Sequence, residues 1–132
     1  MKSRIFKFCI GATLLLGSAS ITFAGGYQNY TDYILYGRHM NNYTGVHQKD
    51  TSDDYIKNKV TSLKDTKKAT FWAVNGNGDT ISETYDFTEG QNKTIKFNKN
   101  KSLNKGDDVQ MGMENAEYNK NVAVVSGKVD FR

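Results

Sequence analysis

Residues 108–114 read Asp-Val-Gln-Met-Gly-Met-Glu, and this stretch decides the fold. In an extended chain, Val109, Met111 and Met113 fall on one face. Asp108, Gln110 and Glu114 fall on the other, together with Gly112. A period of two marks a strand with one face buried and one face wet. Helical spacing would put Met111 on the opposite side from Val109 and Met113, so the stretch predicts a β-strand in a sheet that covers one side of a core.

The neighbouring segments repeat the pattern. Residues 93–98 (KTIKFN) point Ile95 and Phe97 one way and Thr94 and Lys96 the other. Residues 80–87 (TISETYDF) align Ile81, Tyr85 and Phe87, with Glu83 out of place. Residues 69–74 (ATFWAV) are apolar on both faces, as a central strand is. Residues 121–131 begin with Val122 and Val124 on one parity and end with Val129 and Phe131 on the other, which predicts a bulge or bend near Ser126-Gly127. Residues 55–63 (YIKNKVTSL) suit a strand through Ile56 and Val60, and a helix through Ile56, Val60 and Leu63; their neighbours favour the strand.

Turn-forming residues separate these runs. Asn75-Gly76-Asn77-Gly78-Asp79 is rich in residues that accept positive φ and should close a hairpin. Glu89-Gly90-Gln91-Asn92 and residues 100–106 and 115–119 do the same work. Short strands at such spacing predict an all-β chain, a small antiparallel β-sandwich of about six or seven strands. Its expected core is Ile56, Val60, Phe71, Ile81, Tyr85, Phe87, Ile95, Phe97, Val109, Met111, Met113, Val122, Val124 and Phe131. Trp72 is expected on the second face of its strand or at the surface.

The chain has 132 residues, with one Cys and no Pro, enough for one domain. Residues 1–7 carry Lys2, Arg4 and Lys7 and no acid, and residues 8–23 carry no charge. Small residues at Thr22 and Ala24 follow. This is the layout of a secretory signal peptide, with cleavage expected after Ala24. The domain expectation is therefore a signal peptide at 1–24, a Tyr/Asn-rich N-terminal arm at 25–54 and a β-sandwich at 55–132. Cleavage takes the 18 basic residues to 15, against 14 acidic ones. The basic footprint that nucleic-acid binding requires is then absent, so no nucleic-acid partner is expected. It also removes Cys9, so the exported chain is held by its core alone, which points to a Gram-positive exporter. No transmembrane segment is expected after residue 24.

Chemistry-bearing residues are few. His39 and His47 are the only histidines; with Asp50, Asp53 or Asp54 they would supply zinc ligands, but their spacing matches no ligand motif, and they read as surface residues. The 75–79 stretch offers oxygens at alternate positions, but the sixth and twelfth positions of a calcium loop are Thr80 and Asp86 where Gly and Glu are needed. Neither Ser82 nor Ser126 lies in a nucleophile elbow. Asp53-Asp54 and Asp107-Asp108 are adjacent pairs, which on a strand point to opposite faces. No cofactor, no metal site and no catalytic residue is expected. Tyr27, Tyr30, Tyr33 and Tyr36 recur every third residue, and Tyr43 follows. They are the candidate binding residues, since tyrosine is enriched at contact surfaces; the alternative is an arm that lays its rings over the sandwich. Lysines at 64, 67 and 68 and at 93, 96, 99 and 101 would attract anionic wall polymers or guard a sheet edge.

Thr70-Phe71-Trp72, Gly78, Ser82, Glu89-Gly90 and the run Val125-Ser126-Gly127-Lys128-Val129-Asp130 resemble a family of small secreted Gram-positive proteins with an uncharacterised β-rich domain, over residues 55–132. The chain more loosely resembles lactococcin-type bacteriocins. The first resemblance implies a cysteine-poor, strand-rich domain and lends no catalytic residues. The second implies an antibacterial role at the cell envelope. The expected function is a secreted, non-enzymatic protein acting by surface contact, bacteriocin-like or a competition factor. The alternative is an extracellular binding or envelope-matrix module that uses its aromatic N-terminal surface on a bacterial wall polymer.

Overall fold

Nine strands form two antiparallel sheets in the computed structural model, which describes residues 26–118 and 120–132. The signal peptide expected over 1–24 lies outside the described residues. The strands are β1 (Gln28–Leu35), β2 (Asn42–Tyr43), β3 (His47–Gln48), β4 (Tyr55–Lys64), β5 (Ala69–Asn75), β6 (Tyr85–Phe87), β7 (Asn92–Lys96), β8 (Asp108–Asn115) and β9 (Ala123–Asp130). One sheet runs β1-β9-β4-β7. The other runs β2-β8-β5-β6, with β3 also paired to β8. Both β2 and β3 lie along the same edge of β8, so they act as one interrupted strand. Counted so, the interleaved order of the two sheets is that of a jelly roll, the double Greek key that folds one chain into two facing sheets. No helix among the described residues is long and apolar enough to cross a membrane.

The core lies between the sheets and follows the alternation. Val109, Met111 and Met113 of β8 and Ala69, Phe71 and Ala73 of β5 face Ile56 and Val60 of β4 and Ile95 of β7, all buried. Glu83, the residue out of phase, sits where the 80–87 segment breaks between the Thr80 and Ser82 bridges and β6, and it is exposed there. Residues 55–64 are a strand.

Three expectations change. The strand count rises above six or seven because residues 28–48, read as an arm, supply β1, β2 and β3; β1 is hydrogen-bonded along β9 as part of the sandwich. Val122 is 50% exposed and Val124 only half-buried, while Ala123 and Val125 fill the core beside Val129 and Phe131. So β9 keeps one parity throughout and carries no bulge of its own. The irregularities instead sit in its two partners, between Tyr30 and Tyr33 of β1 and between Val60 and Ser62 of β4. In β1, Asp32 takes a φ of 54° and its amide donates to the Ser126 hydroxyl at 2.8 Å. This bulge returns both Tyr30 and Tyr33 to the inward side.

Two further contacts close the layer. Tyr30 is buried and donates its hydroxyl to Asn58 Oδ1 at 2.9 Å; burial pushes its phenol well above the ordinary tyrosine range. Its ring fits because residue 127 has no side chain. Lys49 is 2% exposed, yet its ammonium has partners. Its ammonium donates to the carbonyls of Asp53 and Tyr55 and lies 5.2 Å from the centre of the Phe97 ring. Burial lowers its pKa, with nearby aspartates opposing that shift.

A Cβ at position 127 would stand 2.3 Å from the Lys59 carbonyl oxygen and 2.5 Å from the Tyr30 hydroxyl. Gly127→Ala should therefore cost about 3 kcal/mol, the upper end for overpacking a core. Urea unfolding of the variant checks this, and a loss under about 1 kcal/mol would contradict the packing described.

Candidate functional site

The outer face of the five-stranded sheet is built around a missing side chain. Tyr43, Gly112 and Trp72 lie abreast on β2, β8 and β5. Alternation that sends Met111, Met113, Phe71 and Ala73 into the core sends this row outward. Gly112 in the middle leaves a slot, and the Trp72 indole occupies it. A Cβ on Gly112 would stand 2.3 Å from Trp72 Cε2 and 2.4 Å from Nε1. The indole is thus only 5% exposed, although it is on the outside of the sheet.

Tyr43 stands against the indole edge-to-face, with centroids 6.2 Å apart and planes at 88°, an arrangement that aromatic quadrupoles favour. Asn42 fixes the short strand that carries Tyr43. Its Oδ1 accepts from the Tyr43 amide at 2.9 Å, and its Nδ2 donates to the Ile34 carbonyl at 2.9 Å. Thr44 completes the same edge, its hydroxyl accepting from the Met111 amide at 3.0 Å. Tyr43 keeps 39% of its surface exposed.

Asn41, Tyr43, Trp72, Thr80, Thr84 and Glu114 line a shallow cavity of about 220 Å³. Asn41 Nδ2 donates to the Tyr43 hydroxyl at 3.3 Å. Glu114 is held by His39, whose Nδ1 lies 3.0 Å from Oε2 and 2.8 Å from the Asn115 carbonyl oxygen. The site therefore presents an aromatic wall, three hydroxyls, an amide and a carboxylate. That set supplies donors and acceptors together with a flat apolar surface. The volume is below the roughly 300–1,000 Å³ of pockets that engulf a whole small molecule, so it suits one ring of a larger ligand.

A second hollow, of about 340 Å³, lies at the 75–77 turn and is lined by Asn75, Gly76, Asn77, Leu103, Asp107 and Asp108. Two of its side-chain oxygens hold turns. Asn75 Oδ1 accepts from the amides of Asn77 and Asp79, both at 2.9 Å, and Asp107 Oδ2 accepts from the Asn104 amide at 2.8 Å. Gly78, with φ of 88°, completes the turn. Among the described residues, no three His, Cys, Asp or Glu side chains converge as metal ligands would.

The tyrosines read from the sequence do not form one surface. Tyr30 is 4% exposed and belongs to the core, and Tyr33 packs against it at 5.9 Å in an edge-on contact. The Asp32 bulge turns both inward, with Tyr30 covered and Tyr33 half-buried. Tyr27 and Tyr36 remain exposed at opposite ends of β1. The two histidines are also apart. His39 sits beside Asn115 at one end of β8, while His47 pairs with Val109 near the other and stacks on Phe131 at 4.5 Å. Trp72, Asn41, Thr80, Thr84 and Glu114 were not singled out as site residues. Only the aromatic pair Tyr43 and Trp72 carried a signal, and their meeting depends on the β2–β8 pairing.

The sequence matches no family model and no curated protein. In backbone outline the chain is similar to the crystal structure of PirA, at 8% identity and a TM-score of 0.47, over 85% of this chain and 99% of that one. It is similar to a carbohydrate-binding module, CBM36, in complex with calcium and xylotriose, at 13% identity and 0.45, over 85% and 94% of the two chains. A xylan-binding module, CBM15, gives 11% identity and 0.46, over 84% and 94%. Similarity of this degree transfers no ligand, metal or partner to this chain.

Burial lowers the pKa of His47, with the Asp50 carboxylate opposing the shift. The folded state thus favours the neutral ring, and the unfolded chain, at about 6.5, takes up the proton first. The stabilisation is present above that pH and is lost as pH falls. His47→Phe keeps a ring on Phe131 and removes the titration. Between pH 7 and 5, its melting temperature should fall less than that of the wild type; parallel curves would contradict the assignment.

Proposed function

We propose that this protein is a non-enzymatic binding module that takes one sugar ring of an extracellular polysaccharide into the Trp72–Tyr43 cavity. The observation that carries the reading is the fixed wall of Tyr43 on Trp72, seated over Gly112 and ringed by Asn41, Thr80, Thr84 and Glu114. A pyranose offers a C–H face to an aromatic ring and hydroxyls that both donate and accept, which matches this set of groups. The wall is held before any ligand arrives, so little ordering opposes binding. The first 24 residues read as an export signal, which puts such a ligand outside the cell, in the wall or matrix polymers of bacteria. Glu114 serves here as a hydrogen-bond acceptor positioned by His39.

Affinity electrophoresis through gels that contain single polysaccharides, with a pull-down on isolated cell walls, tests the reading. At least one polymer should retard the protein. Tyr43→Ala should weaken that retention about tenfold or more, as loss of a central aromatic contact does. Tyr27→Ala and Tyr36→Ala should leave it unchanged. A folded protein that binds no polysaccharide or wall, yet stops the growth of related strains, would replace this reading with the bacteriocin-like one.

A further inference from the structure

The outer face of the other sheet carries a different chemistry. In β4, Ile56, Asn58 and Val60 are buried, so Lys57 and Lys59 between them face out. Lys128 of β9 lies between buried Gly127 and Val129, and Lys96 of β7 follows buried Ile95. The register joins these four into one diagonal band. Lys59 pairs directly with Lys128, and Lys96 pairs with Tyr55, two residues before Lys57. Adjacent strands are about 4.8 Å apart and alternate residues about 6.8 Å apart, so the band crosses three strands over roughly 20 Å.

Among the described residues these cations form no ion pair. The ion pairs among the described residues are His39–Glu114, Lys68–Asp86 and Arg132–Asp130, none of them in the band. Asp130, opposite Lys57, is buried and held by Arg132 at 3.0 Å. Asp32, at the sheet edge, lies 3.5 Å from the Ser126 hydroxyl. Like charges directly opposite on neighbouring strands destabilise a sheet. The fold nevertheless sets Lys59 against Lys128 with no carboxylate between them.

We infer that this face binds a linear acidic polysaccharide, through the carboxylate or sulfate groups along its chain. The surroundings select this class of polyanion. Asn29, Asn92, Thr94 and Ser126 lie on the same face by register and offer hydrogen bonds to sugar hydroxyls. Tyr27 is exposed on this face and its hydroxyl reaches Asn92 at 3.5 Å, while half-buried Tyr55 lies opposite Lys96; these two rings form no row on which successive nucleic-acid bases could stack. The band itself carries no exposed apolar side chain to enter a lipid layer. The face is on the opposite sheet from the Trp72–Tyr43 cavity and does not depend on that site.

The test uses the purified protein with polygalacturonate and heparin as carboxylate and sulfate polymers, and with neutral xylan, anionic phosphatidylglycerol vesicles and single-stranded DNA as comparisons. Binding to at least one acidic polysaccharide should weaken with salt, as multivalent charge contacts do. Lys59→Gln/Lys128→Gln should lower that affinity about tenfold or more and flatten its salt dependence. Its stability to urea should be unchanged or higher, because a like-charge pair is gone. Lys99→Gln/Lys101→Gln makes the same change in net charge away from the face and should change affinity less than twofold. Tyr43→Ala should leave it intact, which separates this site from the cavity. Equal losses in the two double variants, no binding to either acidic polymer, or binding to vesicles or DNA alone would overturn the inference.

Discussion

The constraint on which the molecule depends is the single apolar layer between its two sheets. In a strand, alternate residues point to opposite sides, so each position committed to that layer sends its neighbour outward. Val109, Met111 and Met113 in the core put Gly112 outside, and Ile56 and Val60 in the core put Lys57 and Lys59 outside. The two outer faces are therefore consequences of the core. One became aromatic and polar, the other cationic, without altering the packing that holds the sheets together. Both conclusions about binding rest on that division.

Two strand glycines show how tightly backbone and ring are matched. Gly127 faces inward and admits the Tyr30 phenol, which ties edge strand β1 to Asn58 of β4 across β9. Gly112 faces outward and admits the Trp72 indole, which in turn supports Tyr43. Any side chain at either position would collide with an aromatic ring within 2.7 Å. In the first case the result is stability. In the second it is an edge-to-face aromatic pair on the outer face, with the indole almost wholly covered.

Much of the fold was legible because alternation is a local signal. The 108–114 and 93–98 stretches announce their buried faces, and Asn75-Gly76-Asn77-Gly78-Asp79 announces its turn. Where both parities are apolar, as at Val122, Ala123, Val124 and Val125, the sequence contains no choice; pairing with β1 and β4 makes it. The tyrosine stretch divides between core and surface because its spacing of three crosses a bulge at Asp32, which reverses the side that follows. The site was less legible still. Asn41, Thr80 and Thr84 look like ordinary turn and edge residues, and they converge only because β2 lies on β8 and the 80–84 segment folds back over β5. The lysine band was hidden for the same reason, since its members are separated by up to 71 positions in the chain and adjacent only through register.

The chain has one tryptophan, so its indole resonance is an unambiguous reporter of the cavity. Nitrogen–proton correlation spectra of the labelled protein, recorded while a soluble oligosaccharide from a retained polysaccharide is added, test the central claim directly. The account predicts that the Trp72 indole cross-peak shifts progressively and saturably, together with the backbone amides of Tyr43 and Thr84. Saturable shifts confined to other parts of the molecule, with the Trp72 cross-peak unmoved, would contradict it.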